Sequence, residues 1–474
     1  MRISANAPVI FKKLAYQVIT SVTEDSGNII TSNDNLNTFA ENVRRGMWSN
    51  YLSVPTDCPQ RAERVGWTAD TQVFASTASY YSTNTKPFLE KWLNDLRDCQ
   101  LSDGQYLNGC PRGRCGGTKG AFAWADAGIL VPYYLYRMFG DKKTIADCYD
   151  SMQRYIDGFL AKTNGKGAEP KYGDWLSPLG NSLGTRQVLA MAYYAWVAKY
   201  MSEMANVLDK HEDAERYKQL YEAEKKLFND TFIDMNGNVE NVTQTVLLTM
   251  LHMDLIDDKS QLEKYLDIIT ETEKKDNYKV QTGFLGTAIV LPVLSRFGRT
   301  DTAYRMLLCE ECPSWLFSVT QGATTVWEHW DAYTEEKGYV VPHISLNHYA
   351  FGAAMEWMYS CAAGIKPECG FKRFVIAPEP NRALSHLCAT YESPYGTIVS
   401  KWEYVNDGLI FDIAVPANTS ATIRIPCHTG DVLMINDVPF DKTESIDEIR
   451  FEGGSAQFLA ESGRYLIYVK FINN

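Results

Sequence analysis

The stretch DNLNTFAENVRRGMW, residues 34–48, sets Leu36, Phe39, Ala40, Val43 and Met47 at three- and four-residue spacing, an apolar stripe along one face of a helix. After it comes SVPTDCPQRAERVGWTADTQ, residues 53–72, a long loop holding Asp57, Glu63, Asp70, two arginines and Trp67. Helical periodicity then resumes and ends in a short turn, STNT, before KPFLEKWLNDLRDCQ spaces Phe88, Trp92 and Leu96 by four behind Pro87. This alternation recurs. Twelve helices are expected, beginning near residues 33, 70, 86, 122, 141, 185, 211, 240, 258, 284, 300 and 344. After even-numbered helices the connections are short: STNT, FGD, VLDKH, DDKS and GRT. After odd-numbered helices they are mostly longer: 54–69, 101–121, 163–184, 234–239, 274–282 and 312–343. Helices joined by short turns run antiparallel, which sends all the longer connections to one end. The pattern predicts an (α/α)6 barrel over residues 31–365, with functional groups in the loops at one rim.

After Ile365 the period changes from helical to alternating. LIFDIAVP follows Asn406-Asp407-Gly408, a strong hairpin signal, and ATIRIP, DVLMIND, QFLAES and RYLIYVKF continue it. Residues 366–474 therefore read as an all-β domain, a sandwich. The first 30 residues contain strand-like pieces, too few to fold alone.

Composition narrows the function. Of 474 residues, 45% are hydrophobic and 22% charged, which fits a globular protein with a large core. A formal net charge of -12 repels phosphate backbones, so nucleic acid is not an expected partner. Eleven Trp and 28 Tyr are generous for a core alone, and such rings can stack on the apolar faces of sugars. No apolar run is long enough to span a membrane, the start lacks the pattern of a secretory signal, and eleven scattered cysteines suit a reducing compartment; a cytoplasmic location is the expectation. No cofactor or metal is expected. Cys309 and Cys312 lack two further close ligands, and GCPRGRCGGTKG lacks the setting of a phosphate loop.

Two long loops carry carboxylates suited to acid–base work: Glu63 in the first, and Glu328, between Trp327 and Trp330, in the last. In a ring of twelve helices the first and last hairpins are neighbours, so the two loops can face one another. Paired carboxylates across an aromatic-walled pocket form the glycosidase arrangement, in which burial and nearby acids keep one of the pair protonated. The competing reading is that Glu63 pairs with Arg61 or Arg64 and Glu328 is a solvated loop acid. His348 in SLNHYAFG, Trp124 in FAWADAG and Trp175 in YGDWL would, taken singly, be structural.

The segment VPTDCPQRAERVGWTAD resembles the signature of the α-L-rhamnosidases of glycoside hydrolase family 78. Further motifs follow in family order, among them WADAGILVPYYLYRMFGD, YGDWLS, QTGFLGTAIVLPVLSRFGRTDTAYRML, PSWLFSVTQGATTVWEHWDAY and SLNHYAFGAAMEWMY. The resemblance covers about residues 30–364, and the family also carries a C-terminal β-sandwich. It implies an inverting hydrolase that releases terminal α-L-rhamnose from a rhamnose-containing glycoside or oligosaccharide. Glu63 then stands at the general acid and Glu328 at the general base. Asp57 and Asp70 hold sugar hydroxyls, while Trp67, Trp124, Trp175 and His348 line the sugar pocket. Two positions depart from the family pattern. Ala62 replaces a usually polar residue, with loss of a hydrogen bond that would orient Glu63. Ala69 replaces a usual Gly where the loop is expected to turn tightly. Family members carry β-sandwich modules before the barrel, and residues 1–30 resemble the last strand and linker of such a module. Two other readings stand beside this one: another (α/α)6 carbohydrate enzyme, of the unsaturated glucuronyl hydrolase or lyase type, which would want Arg or Lys for an anionic sugar; and a rhamnose-binding homologue with impaired catalysis.

Overall fold

The computed structural model describes residues 4–15, 17–113, 116–163, 171–340, 344–442 and 448–472. Residues 164–170 of the third long connection, 341–343 of the last, and 114–115 of GCPRGRCGGTKG lie outside the described residues. The helices are α1 (Asp34–Asn50), α2 (Thr68–Tyr81), α3 (Thr85–Asp98), α4 (Ala127–Phe139), α5 (Lys142–Thr163), α6 (Leu183–Val207) and α7 (His211–Phe232). They continue as α8 (Gln244–His252), α9 (Lys259–Lys275), α10 (Phe284–Thr287), α11 (Val290–Arg296), α12 (Thr300–Leu307), α13 (Trp315–Thr320) and α14 (Met355–Trp357).

Burial sorts them into two rings. In α2 every residue but Ser76 is buried, polar ones included, and the Thr77 hydroxyl is satisfied by the Ala353 carbonyl at 2.9 Å. Helices apolar or satisfied all round belong inside, and α2, α4, α6, α8, α10 and the segment around α14 pack each on the next to close a ring. The helices outside it are amphipathic. In α7, Tyr217, Tyr221, Phe228 and Phe232 form a buried stripe, opposite a face of Glu and Lys. Local signals set the ends: Asn33 caps α1 through the Leu36 N–H at 2.8 Å, and Gly140 closes α4 in the left-handed region at φ 71°. This is the expected (α/α)6 barrel. None of the helices, among the described residues, is long and apolar enough to cross a membrane.

Three elements differ from expectation. The tenth helix is split into α10 and α11, because Pro292 has no N–H to give the carbonyl of Ala288. The twelfth begins as a 3-10 turn at Ala350, not near 344, and continues through α14 into a π turn ending at Ala362. The short α13 lies inside the last long connection, capped by Ser314.

The strands, in chain order, are β1 (Gly27–Thr31), β2 (Tyr51–Leu52), β3 (Val54–Pro55), β4 (Tyr333–Thr334), β5 (Gly338–Tyr339), β6 (Ile365–Pro367), β7 (Arg373–Ile376) and β8 (His386–Ser393). Then come β9 (Gly396–Val405), β10 (Gly408–Val415), β11 (Ser420–Pro426), β12 (Val432–Ile435), β13 (Val438–Pro439), β14 (Ile449–Glu452), β15 (Ser455–Ala460) and β16 (Gly463–Lys470). Seven form a sheet in the order β1-β8-β9-β10-β16-β12-β13, and five a second in the order β14-β15-β11-β7-β6. Asn406 and Asp407 turn β9 into β10, and Leu409, Phe411, Ile413 and Val415 alternate inward. The strand near the N-terminus is part of this same sheet: β1 pairs antiparallel with β8. The larger sheet also rests on the barrel, where Trp402 Nε1 donates to the Ala362 carbonyl at 2.9 Å and Ser400 Oγ to that of Ala363 at 2.6 Å.

Candidate active site

The loop between α1 and α2 is closed on itself by Asp57. Its N–H donates to the Val65 carbonyl at 2.9 Å, and its Oδ1 accepts from the Val65 N–H at 2.7 Å. Gly66 lets the next loop approach: the Cys110 N–H donates to its carbonyl, and a Cβ there would lie 2.2 Å from the Cys110 oxygen. This frame turns Trp67 back over Glu63, four residues earlier, and Trp67 Nε1 donates to Glu63 Oε1 at 3.0 Å.

Glu328 comes from the opposite side. Its N–H donates to the Ser345 carbonyl and the Ser345 N–H returns to its Oε2, both at 2.9 Å, so the side chain is pinned to the facing segment of its own loop. Gln60 Nε2 reaches Ser345 Oγ at 2.9 Å, so the first and last loops meet as expected. Trp327 and Trp330 do not line the space between them. Trp330 stacks on Phe351 at 3.9 Å and donates to the Thr282 carbonyl; Trp327 packs with Ala323 and Ala332.

All eight residues expected at the site converge on one cavity of about 230 Å³: Glu63, Glu328, Asp57, Asp70, Trp67, Trp124, Trp175 and His348. It lies over the N-terminal ends of inner helices, whose dipoles favour carboxylates there. Asp70 is in the first turn of α2, and Phe284 opens α10. Trp124 is edge-on to Trp67 at 5.5 Å and fixed by its Nε1 to the Gly173 carbonyl at 3.0 Å; Trp175, 40% exposed, forms the rim. His348 Nε2 lies 3.0 Å from Asp70 Oδ1, while the Ala350 N–H donates to its Nδ1 at 3.4 Å, so Nε2 carries the proton facing Asp70. His348 precedes the last helix instead of opening it.

Three further residues line the cavity: Arg61, Tyr172 and Phe284. Arg61 is the consequential one. Its Nη2 lies 2.6 Å from Glu63 Oε2 and 3.6 Å from Asp57 Oδ2, and its Nη1 lies 3.2 Å from Glu328 Oε2. A single guanidinium, whose terminal nitrogens are ~2.3 Å apart, thus ties the two glutamates together and limits their Oε2 atoms to ~8 Å separation. Glu63 both pairs with Arg61 and lines the cavity that Glu328 shares.

Burial pushes Asp57 up to about 6, against the opposing pull of the Cys58 thiol, His348 and the Val65 N–H. Burial likewise raises Asp70, with His348 opposing. For His348, burial works downward, but the contact with Asp70 and the charges of Glu328 and Asp57 leave it raised. Ligand atoms of Asp57, Cys58 and Glu63 lie within 4.8 Å of one another. They suit a metal poorly, because Arg61 already supplies the positive charge and burial pushes the Cys58 thiol up to about 12. Of the two sequence departures, Ala62 is exposed and Ala69 is a buried residue of the first turn of α2 at ordinary helical φ, so its methyl does not fall in a tight turn.

A ring of helical hairpins with paired carboxylates and aromatic walls at one rim defines a protein of the six-hairpin glycosidase class. The chain belongs to the bacterial α-L-rhamnosidases of glycoside hydrolase family 78. Residues 24–362 match the bacterial alpha-L-rhamnosidase 6 hairpin glycosidase domain, and residues 364–437 the bacterial alpha-L-rhamnosidase C-terminal domain. An alpha-L-rhamnosidase of Formosa agariphila is 34% identical over 94% of this chain and 49% of its own length; one of Streptomyces avermitilis is 37% identical over 91% and 41%. The crystal structure of Streptomyces avermitilis alpha-L-rhamnosidase complexed with L-rhamnose superimposes with a TM-score of 0.87 at 35% identity, covering 94% of this chain and 42% of that one. The chain spans about half the length of the curated relatives it matches.

Proposed function

We propose that the chain hydrolyses terminal α-L-rhamnosides with inversion, residues 31–365 forming the catalytic barrel, 366–474 a β-sandwich domain and 1–30 a strand and linker segment. Glu63 protonates the glycosidic oxygen as general acid. Glu328 acts as general base on a water attacking the opposite face of the sugar. Asp57 and Asp70 accept from sugar hydroxyls, and Trp67, Trp124, Trp175 and His348 line the sugar pocket, with Tyr172 and Phe284 extending its apolar wall. One observation carries this reading: two loops far apart in sequence deliver Glu63 and Glu328 to one small cavity, joined through a single guanidinium. Their upper limit of ~8 Å admits both the ~6.5–9.5 Å spacing of inverting enzymes and the ~5 Å of retaining ones, so the released anomer decides between them. Support also comes from the relative solved with L-rhamnose. An aromatic wall beside carboxylates suits a neutral sugar bearing a C6 methyl. An anionic sugar is disfavoured, since the guanidinium is already engaged by three acids and Asp70 adds a fourth.

The test is hydrolysis of an aryl α-L-rhamnoside, with NMR of the newly released sugar. β-L-Rhamnose should appear first, and Glu63→Gln and Glu328→Gln should each slow turnover by about 10²–10⁴-fold. Initial release of the α anomer would overturn inversion. Binding of rhamnose without cleavage would leave a binding protein.

A further inference from the structure

Glu63 is held between two donors. Its Oε2 faces Arg61 Nη2 at 2.6 Å and its Oε1 accepts from Trp67 Nε1 at 3.0 Å, so both carboxyl oxygens are turned toward donors. Charge-assisted contacts of this kind are strongest with both carboxyl oxygens ionised. Glu328, by contrast, receives Arg61 and the Ser345 N–H on the same oxygen, Oε2. The guanidinium has a second place to go, with Asp57 Oδ2 only 3.6 Å from Nη2.

We propose that Arg61 is a positioning residue that locks the empty site: entry of the sugar moves its guanidinium off Glu63 toward Asp57 and Glu328, and Glu63 then takes up a proton from solvent. The proposal rests on the rhamnosidase reading above. The groups that face Glu63 are Asp57, Cys58, Arg61 and Trp67 of its own loop, Glu328 and His348 of the last connection, and Asp70 of α2. The proton comes from the buffer, and no bond other than O–H forms or breaks.

Calorimetric titration of the whole chain with L-rhamnose at pH 7, in buffers of different ionisation enthalpy, counts the protons taken up on binding. Wild type should take up about one proton per rhamnose. Glu63→Gln should take up none, which assigns the proton. In Arg61→Gln the uptake should fall well below wild type, because without the guanidinium the clustered carboxylates already share a proton before the sugar arrives; Arg61→Lys, which keeps the charge, should retain it. Undiminished uptake in Arg61→Gln overturns the role of Arg61, and should that variant fail to fold, Arg61→Met takes its place. Rhamnose binding without proton uptake, or uptake unchanged in Glu63→Gln, overturns the lock and leaves the rhamnosidase reading intact. If wild type neither binds rhamnose nor cleaves an aryl rhamnoside, both fall.

Discussion

Asp57 closes the loop that carries Glu63, yet it does so while 1% exposed, which favours its neutral form. Its pKa rises from 3.8 to about 6 on folding. Between those values the folded chain holds a proton that the unfolded chain has released, so stability falls as pH rises from about 4 to about 6 and the full penalty remains above that. The shift corresponds to about 3 kcal/mol. Asp57→Asn should remove this component: in urea denaturation from pH 4 to 7, its midpoint should gain on wild type between pH 4 and 6 and run parallel afterwards. Curves parallel throughout would mean that Asp57 is not perturbed by burial. Gly66 is the other sensitive residue. Gly66→Ala would drive a methyl into the Cys110 carbonyl, so the loop must shift, at a cost of about 1–3 kcal/mol and with Glu63 displaced from Trp67. The expected signature is a lowered midpoint together with a fall in kcat on an aryl rhamnoside, larger than the rise in KM.

Among the elements, α10 depends on a side chain from elsewhere. Asp174 is buried and accepts the N–H groups of Gly283, Leu285 and Gly286 at 2.7, 2.9 and 3.2 Å, besides the Thr245 hydroxyl. It thereby caps a four-residue helix and fixes Trp175 beside Phe284, whose N–H donates to the Trp175 carbonyl at 3.0 Å. Asp174→Ala orphans three buried N–H groups and the buried Thr245 hydroxyl and should cost about 2–4 kcal/mol by chemical denaturation. Asp174→Asn, which keeps an acceptor, should cost less. With the Trp175 wall loosened, KM for a rhamnoside should rise in both. This arrangement shows where legibility in the sequence ends. Outer helices such as α7 announce themselves by a stripe of tyrosines and phenylalanines, and Glu63 with its neighbours by crowding into one loop. Phe284 and Tyr172 do not, because an aromatic beside a turn looks the same whether it faces a cavity or the core. Asp174 was unreadable as a cap because its helix lies over a hundred residues away. The same applies to Trp327 and Trp330, which flank Glu328 in sequence but brace its loop from behind.

The whole molecule is tied together at both ends of the barrel by one sheet. β1 enters it just before α1 and β8 after the last inner helix, paired from Gly27↔Tyr391 to Thr31↔Leu387. Arg44 of α1 adds a hydrogen bond to the Gly27 carbonyl at 2.9 Å. On the other side, fully buried Trp402 and Ser400 hold the carbonyls at Ala362 and Ala363, where the last inner segment ends in a π turn with few carbonyl partners of its own. The apolar underside of the sheet is therefore part of the barrel's core, and the two regions should unfold together. Trp402→Ala should cost about 3–5 kcal/mol and lower the midpoint of a single transition seen alike by helical and aromatic signals. A barrel expressed as residues 24–362 would leave β1 without its partner strand and bare the ring's lower face. It should bind hydrophobic dye and lack a cooperative transition, while addition of residues 363–474 restores one. A truncated barrel that melts cooperatively at the temperature of the full chain would show that the sheet is an appendage and not a part of the scaffold that sets Glu63 against Glu328.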